Sequence, residues 1–252
     1  MVSPGSAQPL ASAVVHIVQS SCAVASVAPG GIVNAASFGA ISLAPGALAT
    51  VFGSNLSPVT ATANGSPYPT SLGGISVSLS GELCPISYVS PTQVNFQIPA
   101  DPPPGRYLLT VNGATSDALV TNVSPGIFTL SGNGAGVPLA SVIAVLADGT
   151  SQALAPYQCN SVGCAISAMV LPQNVSSVYV VLYGTGIRNT KAIAASVGSV
   201  AAQVAYFGAT SIYPGVDQVN LQISNLSHLT GHQSVILLTD GVFSNSVDLL
   251  FQ

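Results

Sequence analysis

Apolar and polar residues alternate in short runs along nearly the whole chain, and Gly, Pro and Asn interrupt the runs. A period of two puts the apolar side chains of an extended segment on one face, so the pattern predicts strands throughout. The predicted strands are 13–19, 48–52, 75–79, 85–89, 93–98, 107–111, 118–123, 137–146, 178–183, 202–207, 218–223, 234–238 and 246–251. Asn112-Gly113, Asp148-Gly149 and Asp240-Gly241 are two-residue hairpin signals, because such pairs tolerate the positive φ that tight turns demand. No window carries a capped apolar period of 3.6. The Ala-rich stretch 192–202 comes nearest, but Gly198 and its β-branched residues argue against a helix.

The chain repeats itself. Val51-Phe52-Gly53-Ser54-Asn55-Leu56 resembles Leu182-Tyr183-Gly184-Thr185-Gly186-Ile187, and Val94-Asn95-Phe96-Gln97-Ile98 resembles Val219-Asn220-Leu221-Gln222-Ile223. Asn112-Gly113 before Ser116-Asp117 matches Asp240-Gly241 before Ser244-Asn245. Three anchors in the same order imply two copies of one β-sandwich. The expected architecture is all-β: two tandem Ig-like sandwiches with an N-terminal extension strand. The expected boundaries are an extension over 1–30, a first domain over 31–125, a connecting segment with a disulfide-clipped hairpin over 126–174, and a second domain over 175–252.

Several of these stretches, with others, are similar to a known family. They are Gly31-Ile32-Val33-Asn34-Ala35-Ala36-Ser37-Phe38, Leu43-Ala44-Pro45-Gly46, Phe52-Gly53-Ser54-Asn55-Leu56, the run 88–99, Pro125-Gly126-Ile127-Phe128, Leu182-Tyr183-Gly184-Thr185-Gly186 and Asp217-Gln218-Val219-Asn220. Together they resemble the two-part C-terminal domain of large secreted proteins of Solibacter-type acidobacteria. The resemblance implies an extracellular Ig-like β module and supplies no catalytic residues. The chain departs from that family in its extra apolar N-terminal segment and in its cysteines.

Charge narrows the function classes. Hydrophobic residues make up 48% of the 252 residues and charged residues 4%, against roughly 25% charged in an ordinary soluble domain. Three Lys and Arg cannot neutralise a run of phosphates, so nucleic-acid binding is excluded. An anionic membrane surface is excluded on the same ground. The apolar stretch 10–27 is interrupted by His16, Gln19 and serines, so membrane insertion is not expected. Met1-Val2-Ser3-Pro4 lacks the basic start of a secretory signal, so the chain is expected to be either mature or recombinantly trimmed. What polarity remains is Ser, Thr, Asn and Gln, which suits a surface covered by neighbours or working outside the cell.

Four cysteines are present. Cys159 and Cys164 bracket a polar turn, which suits a local disulfide; Cys22 and Cys84 then pair by default. No zinc spacing is present.

The search for chemistry yields little. His228 and His232 are four apart, but Gly231 and the strand context favour a turn over a metal site. There is no Gly-x-Ser-x-Gly elbow. Gly132-Asn133-Gly134-Ala135-Gly136 precedes neither a helix nor a Lys and reads as a loop, not a phosphate cradle. Asp148-Gly149-Thr150 lacks the carboxylates of a calcium loop. No enzyme activity and no cofactor are expected. Tyr68, Tyr157 and Tyr213 are the candidate rings for carbohydrate, with packing on turn prolines as the simpler expectation. Sequons fall at Asn55, Asn64, Asn122, Asn174 and Asn225.

The segment Ala13, Val14, Val15, His16, Ile17, Val18 and Gln19 has no local hairpin partner. It suits an edge strand on its own domain or one donated to a neighbouring copy. The expected function is that of an extracellular or cell-surface structural protein, with copies of itself as partners in a fibre. The alternative is a cell-surface adhesion or carbohydrate-binding module, with glycans as partners.

Overall fold

A computed structural model describes residues 24–252. These residues are all-β apart from one 3-10 turn at Leu226–His228. No helix among the described residues is long and apolar enough to cross a membrane.

The first sandwich is built from β1 (Ser26–Asn34), β2 (Leu48–Ser54), β3 (Ala61–Thr62), β4 (Ser71–Leu72), β5 (Ile75–Leu79), β6 (Glu82–Cys84), β7 (Ile86–Val89), β8 (Gln93–Gln97), β9 (Gly105–Val111) and β10 (Ala114–Val120). One sheet runs β1-β2-β8-β7-β3, and the other runs β10-β9-β5-β4 with β6 beside β5. Inward residues alternate along each strand. Val51, Val94 and Phe96 face Val77, Leu109 and Val111, all fully buried, across a dry core.

The second sandwich begins earlier than the sequence predicts. It contains β11 (Gly126–Ile127), β12 (Ala140–Leu146), β13 (Ser151–Leu154), β14 (Tyr157–Cys159), β15 (Cys164–Ile166), β16 (Ala168–Met169), β17 (Val175–Thr185), β18 (Ile193–Val197), β19 (Val200–Ala209), β20 (Asp217–Ile223), β21 (Gly231–Thr239), β22 (Val242–Phe243) and β23 (Val247–Phe251). The strand order is β13-β12-β17-β20-β19-β18-β21-β23-β16. Strand β19 pairs with β20 through its second part and with β18 through its first, so it carries the sheet around from one layer to the other.

Residues 126–174, expected as a connecting segment, supply β11, β12, β13 and β16 to this sheet. Ile127, Val142, Ala144 and Met169 join its core. Only the hairpin β14–β15, closed by the Cys159–Cys164 disulfide, stands outside the main sheet. The segment reads as a connector because its apolar residues are spread over several strands and separated by long polar turns. Likewise, Pro29-Gly30-Gly31 does not separate an extension from the first domain. It lies inside β1 as a bulge, where the register on β2 jumps between Val27 and Ile32.

The repeat holds in strand register. Phe52 pairs with Gln93 and Val51 with Val94; Tyr183 pairs with Gln218 and Leu182 with Val219. Both hairpins, Asn112-Gly113 and Asp240-Gly241, have positive φ at both central residues, as a type I′ turn requires. The glycine after Phe52 or Tyr183 has a steric cause. A methyl on Gly53 would overlap the Ser26 carbonyl, and one on Gly184 would overlap that of Gly126. Each glycine lets the first strand of its sandwich lie directly against a central strand, over buried Leu56 or Ile187.

Gly53→Ala and Gly184→Ala should therefore each destabilise the fold by about 2 kcal/mol, since the obstacle is backbone and cannot rotate away. Chemical denaturation should show lowered midpoints for both. Gly105→Ala, where the backbone is not left-handed and a methyl would meet only the Tyr107 ring at 3.8 Å, is a control for a close-approach effect.

Candidate functional site

The two sandwiches meet through buried hydrogen bonds rather than a free linker. Asn34, fully buried, accepts from the Ala36 and Ser37 N–H groups at 2.8 and 3.1 Å and donates from Nδ2 to the Ser124 carbonyl at 2.7 Å. The Ser124 N–H donates to the Gly186 carbonyl at 2.9 Å. A methyl on Gly186 would overlap the Ser124 carbonyl. Further along, the Leu48 N–H donates to Thr185 Oγ1 at 2.8 Å, and Asn189 Nδ2 donates to the Pro45 carbonyl at 3.0 Å. These last bonds join backbone groups of the first sandwich to side chains of the second, and the whole set fixes the relative placement of the two.

One buried ion pair supports this junction. Asp217, at 0% exposure, accepts from Arg188 Nε and, through Oδ2, from the Ile187 and Arg188 N–H groups at 2.7 and 3.2 Å. Burial pushes the Asp217 carboxyl above its ordinary range, and Arg188 and these N–H donors pull it back. The Arg188 side chain borders Gly46 of the first sandwich. An already sparse set of charges thus spends one pair inside the fold. At the surface, Asp240 caps the chain by accepting from the Lys191 and Ala192 N–H groups, which hold its carboxyl below the usual range.

Of the residues singled out in the sequence, Cys159 and Cys164 are joined as expected. Cys84 carries a free thiol at 0% exposure, and burial pushes its pKa up to about 12. Its expected partner Cys22 lies outside the described residues. So do Ala13, Val14, Val15, Ile17 and Val18 of the expected assembly strand, and His16. His228 sits on the 3-10 turn. His232 lies on β21 with Nδ1 3.6 Å from Asp248 Oδ2. Among the described residues no three His, Cys, Asp or Glu side chains cluster as metal ligands would.

A groove runs over the outer face of β12, β17, β20 and β19. It consists of two adjoining clefts of about 460 and 410 Å³ that share Tyr183 and Tyr213. Tyr206, Gln218 and Asn220 line the first and Tyr157 the second. Strand pairing sets the rows: Tyr183 is opposite Gln218, and Asn220 is opposite Tyr206. Gln218 Nε2 donates to Asn220 Oδ1 at 2.8 Å. Tyr213 stands 59% exposed on the turn between β19 and β20, where Thr210 Oγ1 both donates to the Tyr213 carbonyl and accepts from its N–H. No charged side chain lines either cleft among the described residues.

Sequence reasoning picked out Tyr157 and Tyr213 but missed Tyr183, Tyr206, Gln218 and Asn220. The repeat held the missing signal. In the first copy Tyr88 lies opposite Asn95, as Tyr206 lies opposite Asn220. The first copy then turns through 90–92, whereas the second spends 210–216 on the same turn.

Comparison with known proteins bears on the first sandwich. The IPT/TIG domain family matches residues 37–132, which places an Ig-like domain of that type on the first sandwich. No curated protein matches the chain in sequence. Domains 5-6 of the S-layer protein SbsC align over 90% of this chain and 98% of their own, at 10% identity and a TM-score of 0.24. Domains 4-9 of the surface layer protein SbsC align over 91% and 32%, at 12% identity and 0.25. The I9-I11 tandem of titin aligns over 82% and 94%, at 9% identity and 0.19. At these scores the likenesses define neither topology nor role.

Two outcomes follow from the buried groups. Asp217→Ala should cost about 3 kcal/mol in urea denaturation, because it strands the Arg188 guanidinium and two N–H donors. Cys84 should stay unlabelled by iodoacetamide near pH 8 in the folded protein and react once denaturant is added, since only the thiolate attacks; peptide mass mapping reads both states.

Proposed function

We propose that the chain is an extracellular structural protein that assembles with copies of itself into a fibre and catalyses no reaction. The open edge of the second sheet is the observation that carries this reading. Among the described residues, strand β13 ends the sheet, pairs only with β12, and leaves Ser151, Gln152 and Ala153 exposed. None of the usual guards of an edge, a Lys or a Pro, lies on it.

The segment 13–19 is apolar and rich in β-branched residues, as a strand is, and strand addition at such an edge supplies main-chain hydrogen bonds between copies. Three further features support the reading. Seven Asp and Glu against three Lys and Arg, with Asp217 and Arg188 occupied internally, leave little charge to hold identical copies apart. The Cys159–Cys164 disulfide fits an oxidising compartment outside the cell. The junction bonds make each copy a fixed unit, which a regular array requires.

Light scattering on the full chain should report masses far above 25.0 kDa, with filaments in negative stain. Val15→Asp should abolish assembly while leaving the thermal midpoint in place. A monodisperse 25.0 kDa particle across the micromolar range would refute the reading.

A further inference from the structure

We propose that the groove over β12, β17, β20 and β19 is a binding site for an uncharged oligosaccharide. The two copies of the sandwich make the case by contrast. The first copy carries the same row of side chains: Phe52, Gln93, Asn95 and Tyr88 stand where the second has Tyr183, Gln218, Asn220 and Tyr206. The hydrogen bond from the Gln Nε2 to the Asn Oδ1 is repeated as well, at 2.8 Å in both copies.

In the first copy this row is closed. The Phe38 ring stacks on Phe52 at 6.1 Å between centroids, and Thr50 Oγ1 donates a second hydrogen bond to Asn95 Oδ1 at 3.0 Å. In the second copy each closure is undone. Tyr183 stands at the Phe52 position with no ring stacked on it among the described residues, and Val181 stands at the Thr50 position and donates nothing. The lengthened turn 210–216 raises Tyr213 beside the row instead of covering it. On the other flank, the disulfide-closed hairpin β14–β15 presents Tyr157.

The chemistry of this lining selects its occupant. Tyrosine rings offer flat apolar faces with a polar rim, to which the C–H face of a sugar ring is matched. The Gln218–Asn220 bond uses one donor and one acceptor. Among the described residues, Gln218 Oε1 and Asn220 Nδ2 have no other partner, so an acceptor and a donor lie side by side. Vicinal hydroxyls, each able to donate and accept, satisfy both. A charged ligand would lose its hydration with no ion to meet it. A proline-rich peptide would also stack on tyrosine, but its carbonyls only accept and would leave Gln218 Oε1 unmet. Two clefts joined at Tyr183 and Tyr213 favour a chain of sugars over a single ring, and their volumes lie in the range of ordinary ligand sites. The groove is complete within one copy, so the site does not depend on assembly.

The test is calorimetric titration of the full chain with uncharged hexasaccharides of β-1,4-glucan, β-1,3-glucan, α-1,4-glucan, xylan and mannan, beside oligogalacturonate and a proline-rich peptide. At least one uncharged hexasaccharide should bind. Tyr213→Ala and Asn220→Ala should each weaken it by at least about tenfold, whereas Tyr88→Ala in the first copy should leave it unchanged. Thermal midpoints of the variants show that they are folded, and exposed Tyr213 can be removed without opening the core. The proposal is overturned if no uncharged hexasaccharide binds more tightly than about 1 mM, if only oligogalacturonate or the peptide binds, or if Tyr213→Ala and Asn220→Ala bind like the parent chain.

Discussion

The fold depends on a backbone contact used twice. In each sandwich a glycine in a central strand, Gly53 or Gly184, receives the carbonyl of the first strand where any other residue would place a Cβ. That approach fixes where the first strand lies, and with it the buried Leu56 or Ile187 beneath the turn that follows. The contact has no side chain to adapt, so it fixes position as side-chain packing alone would not. In the second copy the same turn continues into the junction, where Gly186 lies against Ser124 and Asn34 gathers three polar backbone groups. The sandwich and the link between sandwiches therefore share one local geometry.

A second constraint is polarity without charge. The outward rows of β8 and β20 carry Gln and Asn in alternation, and these amides bond to one another along the strand. Such a face is wet and hydrogen-bonding, yet it repels neither its own copy nor a neutral ligand. Charge follows the opposite rule: where it enters the fold it is tied down at both ends. Arg188 and Asp217 are held at the junction by several directed bonds, where removing either partner leaves the other uncompensated.

Two copies of one sandwich with local differences show how one surface row is packed shut in the first and open in the second. Strand register is the same in both, so the difference lies in the Phe38 ring stacked on the first row, a Thr-to-Val replacement, a longer turn and the flanking β14–β15 hairpin. None alters the core. All act on the outer face, where a substitution costs little stability and can change what the face contacts.

Much of this was legible in the residues. Alternation located most of the strands because a half-buried sheet imposes a period of two, and the three repeated anchors revealed two sandwiches because each anchor answers a fixed steric demand: a close approach, a central strand, a positive-φ turn. The short span between Cys159 and Cys164 likewise pointed to their bond. What alternation could not reveal was partnership. Residues 126–174 read as a connector because β12 reaches β17 across four intervening strands and β16 pairs with β23 far along the chain, and pairing between segments that are not neighbours leaves no local mark. Pro29-Gly30-Gly31 looked like a break because a bulge and a linker use the same residues. The groove escaped for a related reason: Tyr157, Tyr183, Tyr206 and Tyr213 come from different strands and turns, and only the curvature of the finished sheet brings them to one place.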